Sequence, residues 1–157
     1  MSGTEMMRLL AEHEEAIEML YRQYAGRFGG YSDFWRRIAD EEKKHSRILR
    51  HLRLMADEEM LYHNPSGFNM LLLRDSITSV KAGITKVRSG LETIDGALAF
   101  ARELETNIVE LKFFDAFKDV TAEYRSAFND IKNDTSRHAL EVQNEWWRIT
   151  VENPGMD

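Results

Sequence analysis

Glu42 and His45 stand three residues apart in a run where Trp35, Ile38, Leu49 and Leu52 continue an alternating three- and four-residue spacing. That spacing places all six side chains on one stripe of an amphipathic helix, the stripe that faces a core. A carboxylate buried there without a partner is strongly disfavoured and tends to give up its charge. Burying a carboxylate beside an imidazole makes sense when a cation holds them together, and a metal ion is the leading candidate. A Glu-x-x-His pair sets its two side chains about 60° apart on one helix face, from ~100° per residue. The Glu can then bridge two ions while the His ligates one of them.

Other stripes carry single polar residues in the same way. The first helix offers Met7, Leu10, Glu14, Ile17, Tyr21, Tyr24 and Phe28, with Glu14 as its one carboxylate. Glu14 lies about 15 residues before the Gly29-Gly30 turn and Glu42 about 12 after it, so both reach nearly the same height in an antiparallel hairpin. A later stripe reads Leu98, Ala101, Glu105 and Ile108, and the last reads Tyr124, Phe128, Ile131, Thr135, His138 and Val142. Glu14, Glu42, His45, Glu105 and His138 are therefore expected to converge on one level. Oxygen-rich ligands with one imidazole per ion suit iron or manganese and leave positions open for oxygen species.

The elements that must position these residues read as nearly all helix. Only Pro65 and Pro154 occur, and no segment alternates like a strand. Helix one is expected from Thr4 to Phe28, and helix two from a Ser32 cap to Ala56. Asn64-Pro65-Ser66-Gly67 is the clearest break. A crossover helix follows over 69–89, its face made of Leu73, Ile77, Val80, Ile84 and Val87, with Gly83 weakening it. Helix three runs from Ile94 to Phe117, and helix four from Asp119 or Thr121 to Val151. Two long hairpins joined by a long connection (about 57–93) make an all-α four-helix bundle with a crossover, and short glycine-containing turns favour it over an extended coiled-coil dimer. The hairpins also echo each other: Tyr31, Trp35, Ile38, Glu42 and His45 correspond at constant offset to Tyr124, Phe128, Ile131, Thr135 and His138.

Bulk composition bounds the rest. The 157 residues suit one domain spanning 1–157, and 43% hydrophobic with 31% charged residues is the balance of an ordinary folded chain. A net charge of -6 without a basic stripe argues against a nucleic-acid partner. The absence of cysteine removes disulfides, thiolate zinc sites and rubredoxin-type iron. Met1–Leu10 has no basic segment followed by an apolar run, and no apolar run spans a bilayer, so a cytoplasmic protein without a membrane partner is expected.

Leu9–Leu52 resembles the first half of the rubrerythrin-like branch of the ferritin-like superfamily, through Glu14, Tyr21 and Ala25 and then Ala39-Asp40-Glu41-Glu42-Lys43-Lys44-His45. Ala97–Glu141 is similar but looser, through Ala97–Glu105 and His138. The resemblance implies Glu14 and His45 as terminal ligands, Glu42 as a bridge, Glu105 as the helix-three carboxylate and His138 as the second imidazole. It implies iron, one or two ions per chain, with manganese or zinc as alternatives. It also implies an oxidoreductase acting on peroxide, oxygen or ferrous iron. Peroxidase and ferroxidase both stay open, and without a rubredoxin domain the electron donor must be external. Thr135 stands where the family's second bridging carboxylate belongs. Asp134, Glu141 or Glu18 would have to replace it, or the second metal position is incomplete.

Plainer readings stand beside these. Glu42 and His45 can form a simple buried hydrogen bond, and Glu14 can be one of a surface acidic cluster. Glu103 and Glu110 compete with Glu105, and His138 can be a satisfied core histidine. His13, His51 and His63 read as surface or loop residues, and Tyr21 and Tyr24 as core packing. Trp146 and Trp147 cannot both face one core, so one is expected under the crossover or in a homodimer interface. A non-catalytic helical scaffold, or a metal-carrying module without turnover, is the alternative to the enzyme.

Overall fold

A computed structural model describes residues 3–55, 70–107 and 122–152. Five α-helices account for most of these residues: α1 (Gly3–Arg27), α2 (Ser32–Met55), α3 (Met70–Arg88), α4 (Ile94–Glu105) and α5 (Ala122–Trp147), which runs on into a π-helical turn at Arg148–Glu152. No strand occurs among the described residues.

α1 and α2 form the expected antiparallel hairpin, closed by a 3-10 turn at Gly29–Tyr31. Ser32 does not precede its helix as a cap. It is the first helical residue, and its hydroxyl donates to the Ala25 carbonyl at 2.5 Å, tying the start of α2 to the end of α1. α2 and α5 are also antiparallel: Arg37 meets Glu141, Glu41 meets Arg137, His45 meets Asp134, and Tyr124 donates to the Leu52 carbonyl. α4 packs on α5.

The crossover helix forms over nearly the expected span, as the 19-residue α3 packed along α1. Its expected face is buried as read, with Leu73 and Ile77 in one apolar cluster and Val80, Ile84 and Val87 in another. The described fold is thus five packed helices. α3 ends where Gly90 takes φ +73°, with Gly90 N–H donating to Val87 O and Leu91 N–H to Lys86 O, the paired bonds that close a helix on a left-handed residue. Thr93 then caps α4 by accepting from Gly96 N–H at 3.0 Å. α4 stops at Glu105, earlier than expected, and the expected continuation over 108–117 lies outside the described residues, as does a start of helix four at Asp119 or Thr121.

The two apolar clusters sit on either side of one polar level. The first joins Met7, Leu10, Leu49, Leu52, Phe128 and Ile131, and the second joins Ile17, Tyr21, Trp35, Ile38, Leu98 and Val142. Between them along α1, α2 and α5 lie Glu14, then Glu42 and His45, then Thr135 and His138, all buried.

Gly83 has a packing reason. A Cβ there would lie 2.8 Å from the Phe100 ring and 3.4 Å from Leu20. Gly83→Ala is expected to destabilise the protein by about 1 kcal/mol, since overpacking costs ~1–3 kcal/mol against a helix gain of ~0.5–1. The urea midpoint measures it, and an unchanged or higher midpoint would show that α3 and α4 are not this close.

Candidate metal centre

All five sequence-expected ligands meet. Glu14, Glu42 and His45 form one buried group and Glu42, Glu105 and His138 another, each offering ligand atoms within 4.8 Å of one another. Glu42 belongs to both. α1 supplies Glu14, α2 supplies Glu42 and His45, α4 supplies Glu105 at its last turn, and α5 supplies His138.

In the first group, His45 Nδ1 and Glu42 Oε2 face each other at 3.4 Å. Both atoms are fully buried and neither has a hydrogen-bond partner. Leaving such atoms unsatisfied costs about 1–3 kcal/mol each, which a cation seated between them would offset. In the second group, His138 Nδ1 lies 3.1 Å from Glu42 Oε1 and 3.7 Å from Glu105 Oε2. Tyr21 donates its hydroxyl to the other Glu105 oxygen at 2.7 Å, which fixes that carboxylate and leaves Oε2 turned to the cluster.

The outer nitrogens of both imidazoles are held by carboxylates from the opposite helix. His45 Nε2 on α2 meets Asp134 on α5 at 2.9 Å, and His138 Nε2 on α5 meets Glu41 on α2. Arg137 bridges these two carboxylates, at 2.9 Å from Glu41 and 3.0 Å from Asp134. A carboxylate accepting from one ring nitrogen turns the other toward a metal and raises its basicity. Sequence reading missed these supports. The offset that relates His45 to His138 also relates Glu41 to Asp134, and that was the signal available.

The carboxylates offered as substitutes for the one missing at Thr135 do not join the cluster. Asp134 is engaged with His45 and Arg137, Glu141 with Arg37 at 2.8 Å, and Glu18 with Arg22 at 2.8 Å. Thr135 itself is buried. His13 also departs from expectation. It is fully buried, and its Nε2 lies 2.8 Å from Ser76 Oγ on α3. Its neighbour Glu14 turns to the carboxylate–imidazole cluster while His13 turns to the α1–α3 seam, the third face of a helix surrounded on several sides.

Electrostatics follow from the geometry. Burial opposes charge on Glu42, but its interactions with Glu14, His138 and His45 outweigh that and hold it well below the usual carboxylate range. Burial likewise opposes charge on His138, yet Glu105 and Glu42 push it up to about 11. With Glu41 on its other nitrogen, His138 is an imidazolium donating from both sides. His45 is raised for the same kind of reason: burial acts against it, and Glu42 and Asp134 prevail.

No protein-family model, curated protein or solved structure matches the chain.

A pH dependence follows for the metal-free protein. The raised His138 stabilises the fold fully below the ordinary imidazole range of about 6.5, and that contribution is lost as pH rises toward about 11. The urea midpoint should therefore fall between pH 7 and pH 10, and His138→Gln should flatten this slope. Equal slopes in the two proteins would contradict the charge assigned to His138.

Proposed function

We propose that this chain is a ferritin-like, rubrerythrin-like metal carboxylate protein that binds iron, with manganese or zinc as alternative occupants, and serves as an oxidoreductase toward peroxide, oxygen or ferrous iron. The observation that carries this reading is Glu42, a buried carboxylate shared by two Glu–His groups. Its Oε2 and the Nδ1 of His45 face each other at 3.4 Å, both fully buried and neither hydrogen-bonded.

Glu14, Glu42 and His45 would hold one ion, and Glu42, Glu105 and His138 the other. Three carboxylates and two neutral imidazoles are a hard, oxygen-rich donor set, as ferrous iron requires. A ferrous pair supplies two electrons, the number a peroxide needs for reduction to water. The chain's own residues set the conditions. Asp134 and Glu41 orient the imidazoles, Tyr21 orients Glu105, and the apolar clusters above and below exclude water. His138 must release a proton to ligate, so occupancy of the second position rises with pH.

The second reading is a metal carrier or non-catalytic scaffold. What favours it is Thr135 in the place of a fourth carboxylate, with Asp134, Glu141 and Glu18 all engaged elsewhere. Both positions displace a proton from a raised imidazole, His45 in the first and His138 in the second, and the second is the weaker because His138 is the one pushed up to about 11.

Ferrous-ion titration of the purified, metal-free protein tests the proposal. Two ions per chain are expected, the second bound more weakly. Glu42→Ala should abolish both, Glu14→Ala chiefly the first and Glu105→Ala chiefly the second. Loss of no binding in Glu42→Ala would sink the reading. Peroxide consumption by the ferrous-loaded protein then separates the enzyme from the carrier.

A further inference from the structure

The two imidazoles of the candidate centre lie side by side, their ring centroids 6.0 Å apart and their planes tilted by 31°. Their Nδ1 atoms turn inward to Glu42, and their Nε2 atoms turn outward to Asp134 and Glu41. An aromatic ring is about 3.5 Å thick, so at most ~2.5 Å remains between the two, less than the ~2.8 Å width of a water molecule. Held in this way, the rings shut the α2–α5 side of the cluster. Passage of a cation across this side requires them to turn.

What holds the rings is a single arginine. Glu41 meets His138 through Oε2 and Arg137 through Oε1, while Asp134 meets His45 through Oδ2 and Arg137 through Oδ1. One guanidinium nitrogen, Nη2, makes both arginine contacts, at 2.9 and 3.0 Å, and Nη1 lies 3.5 Å from Glu141. A closed run of contacts therefore passes from His138 through Glu41, Arg137 and Asp134 to His45. Neither ring can swing outward with its carboxylate unless a contact to Arg137 breaks. Arg137 is also the movable member, with its side chain 44% exposed, whereas both imidazoles are buried. Ion pairs this exposed are weak and are screened by salt.

We propose that Arg137 is a gate on cation exchange: its guanidinium pins Glu41 and Asp134, and through them both imidazoles, and its release lets the rings turn and open the α2–α5 side of the cluster to water. The inference rests on the metal reading above and adds a route to it. Arg137 contacts Glu41, Asp134 and Glu141 and none of the five candidate ligands, so it is a positioning residue. When it swings out, those three carboxylates face solvent without its charge, which favours the approach of a divalent cation. Losing a gate speeds entry and exit together and leaves the affinity nearly unchanged. Losing a mere support for the imidazoles speeds exit alone and weakens binding.

Stopped-flow absorbance with cobalt(II) chloride and the full, metal-free chain measures entry, an EDTA chase of the loaded protein measures exit, and an equilibrium titration gives the affinity. Arg137→Gln should speed both entry and exit by roughly tenfold, with Kd changed by less than about threefold. Arg47→Gln, the same charge change at an exposed position of α2 outside the seam, should leave both rates unchanged. In the wild type, raising sodium chloride from about 0.05 to 0.5 M should quicken exit, because screening loosens the Arg137 pairs. This salt measurement needs no variant to fold. Cobalt bound with rates indifferent to Arg137, faster exit with a matching loss of affinity, an equal effect of Arg47→Gln, or exit insensitive to salt would each overturn the gate and leave the metal reading standing. No cobalt bound by the wild type would overturn both.

Discussion

Three carboxylates and two imidazoles packed into the middle of an apolar bundle are the constraint that everything else must satisfy. Taking such groups out of water is expensive, and apolar residues of similar volume would as a rule stabilise a core equally well or better. A polar level of this kind is therefore weak evidence for stability and points instead to function. The metal-free protein manages the cost by protonation. His138 carries a charge between Glu41, Glu42 and Glu105, and a proton stands where a second cation would sit.

The architecture distributes that cost. Apolar clusters on both sides of the level clamp the helices, so that the ligand side chains need not hold the bundle together. α3 covers the side of α1 that α2 leaves open, which keeps His13 away from solvent. The α2–α5 seam is stitched by a reciprocal exchange: each helix lends a carboxylate to the imidazole of the other, and Arg137 joins the two carboxylates. The seam is also the wetter side of the cluster, since Glu41, Asp134 and Arg137 are partly exposed.

Much of this was legible in the sequence because helices write their burial as periodicity. Glu14, Glu42, His45, Glu105 and His138 were each polar residues on apolar stripes, and height along antiparallel helices was enough to bring them together. The face of α3 was legible for the same reason, but its rank was not, since periodicity says which side is buried and not against what. His13 escaped because α1 is covered on more than one side, so its buried residues do not form a single stripe. The roles of Glu41, Asp134 and Arg137 escaped for a different reason. They lie between the core and the surface, where a charged residue reads as solvated unless its cross-helix partner is known. Thr135 is buried on its stripe, and Asp134, Glu141 and Glu18 stay out of the cluster because each already has a nearer cation.

The account turns on Glu42 serving two cation positions. Anomalous diffraction at the iron edge, from crystals of the ferrous-loaded protein, measures this directly. The account predicts a strong peak among Glu14, Glu42 and His45, and a second, weaker one among Glu42, Glu105 and His138. Iron bound with no peak within coordination distance of Glu42 would contradict it.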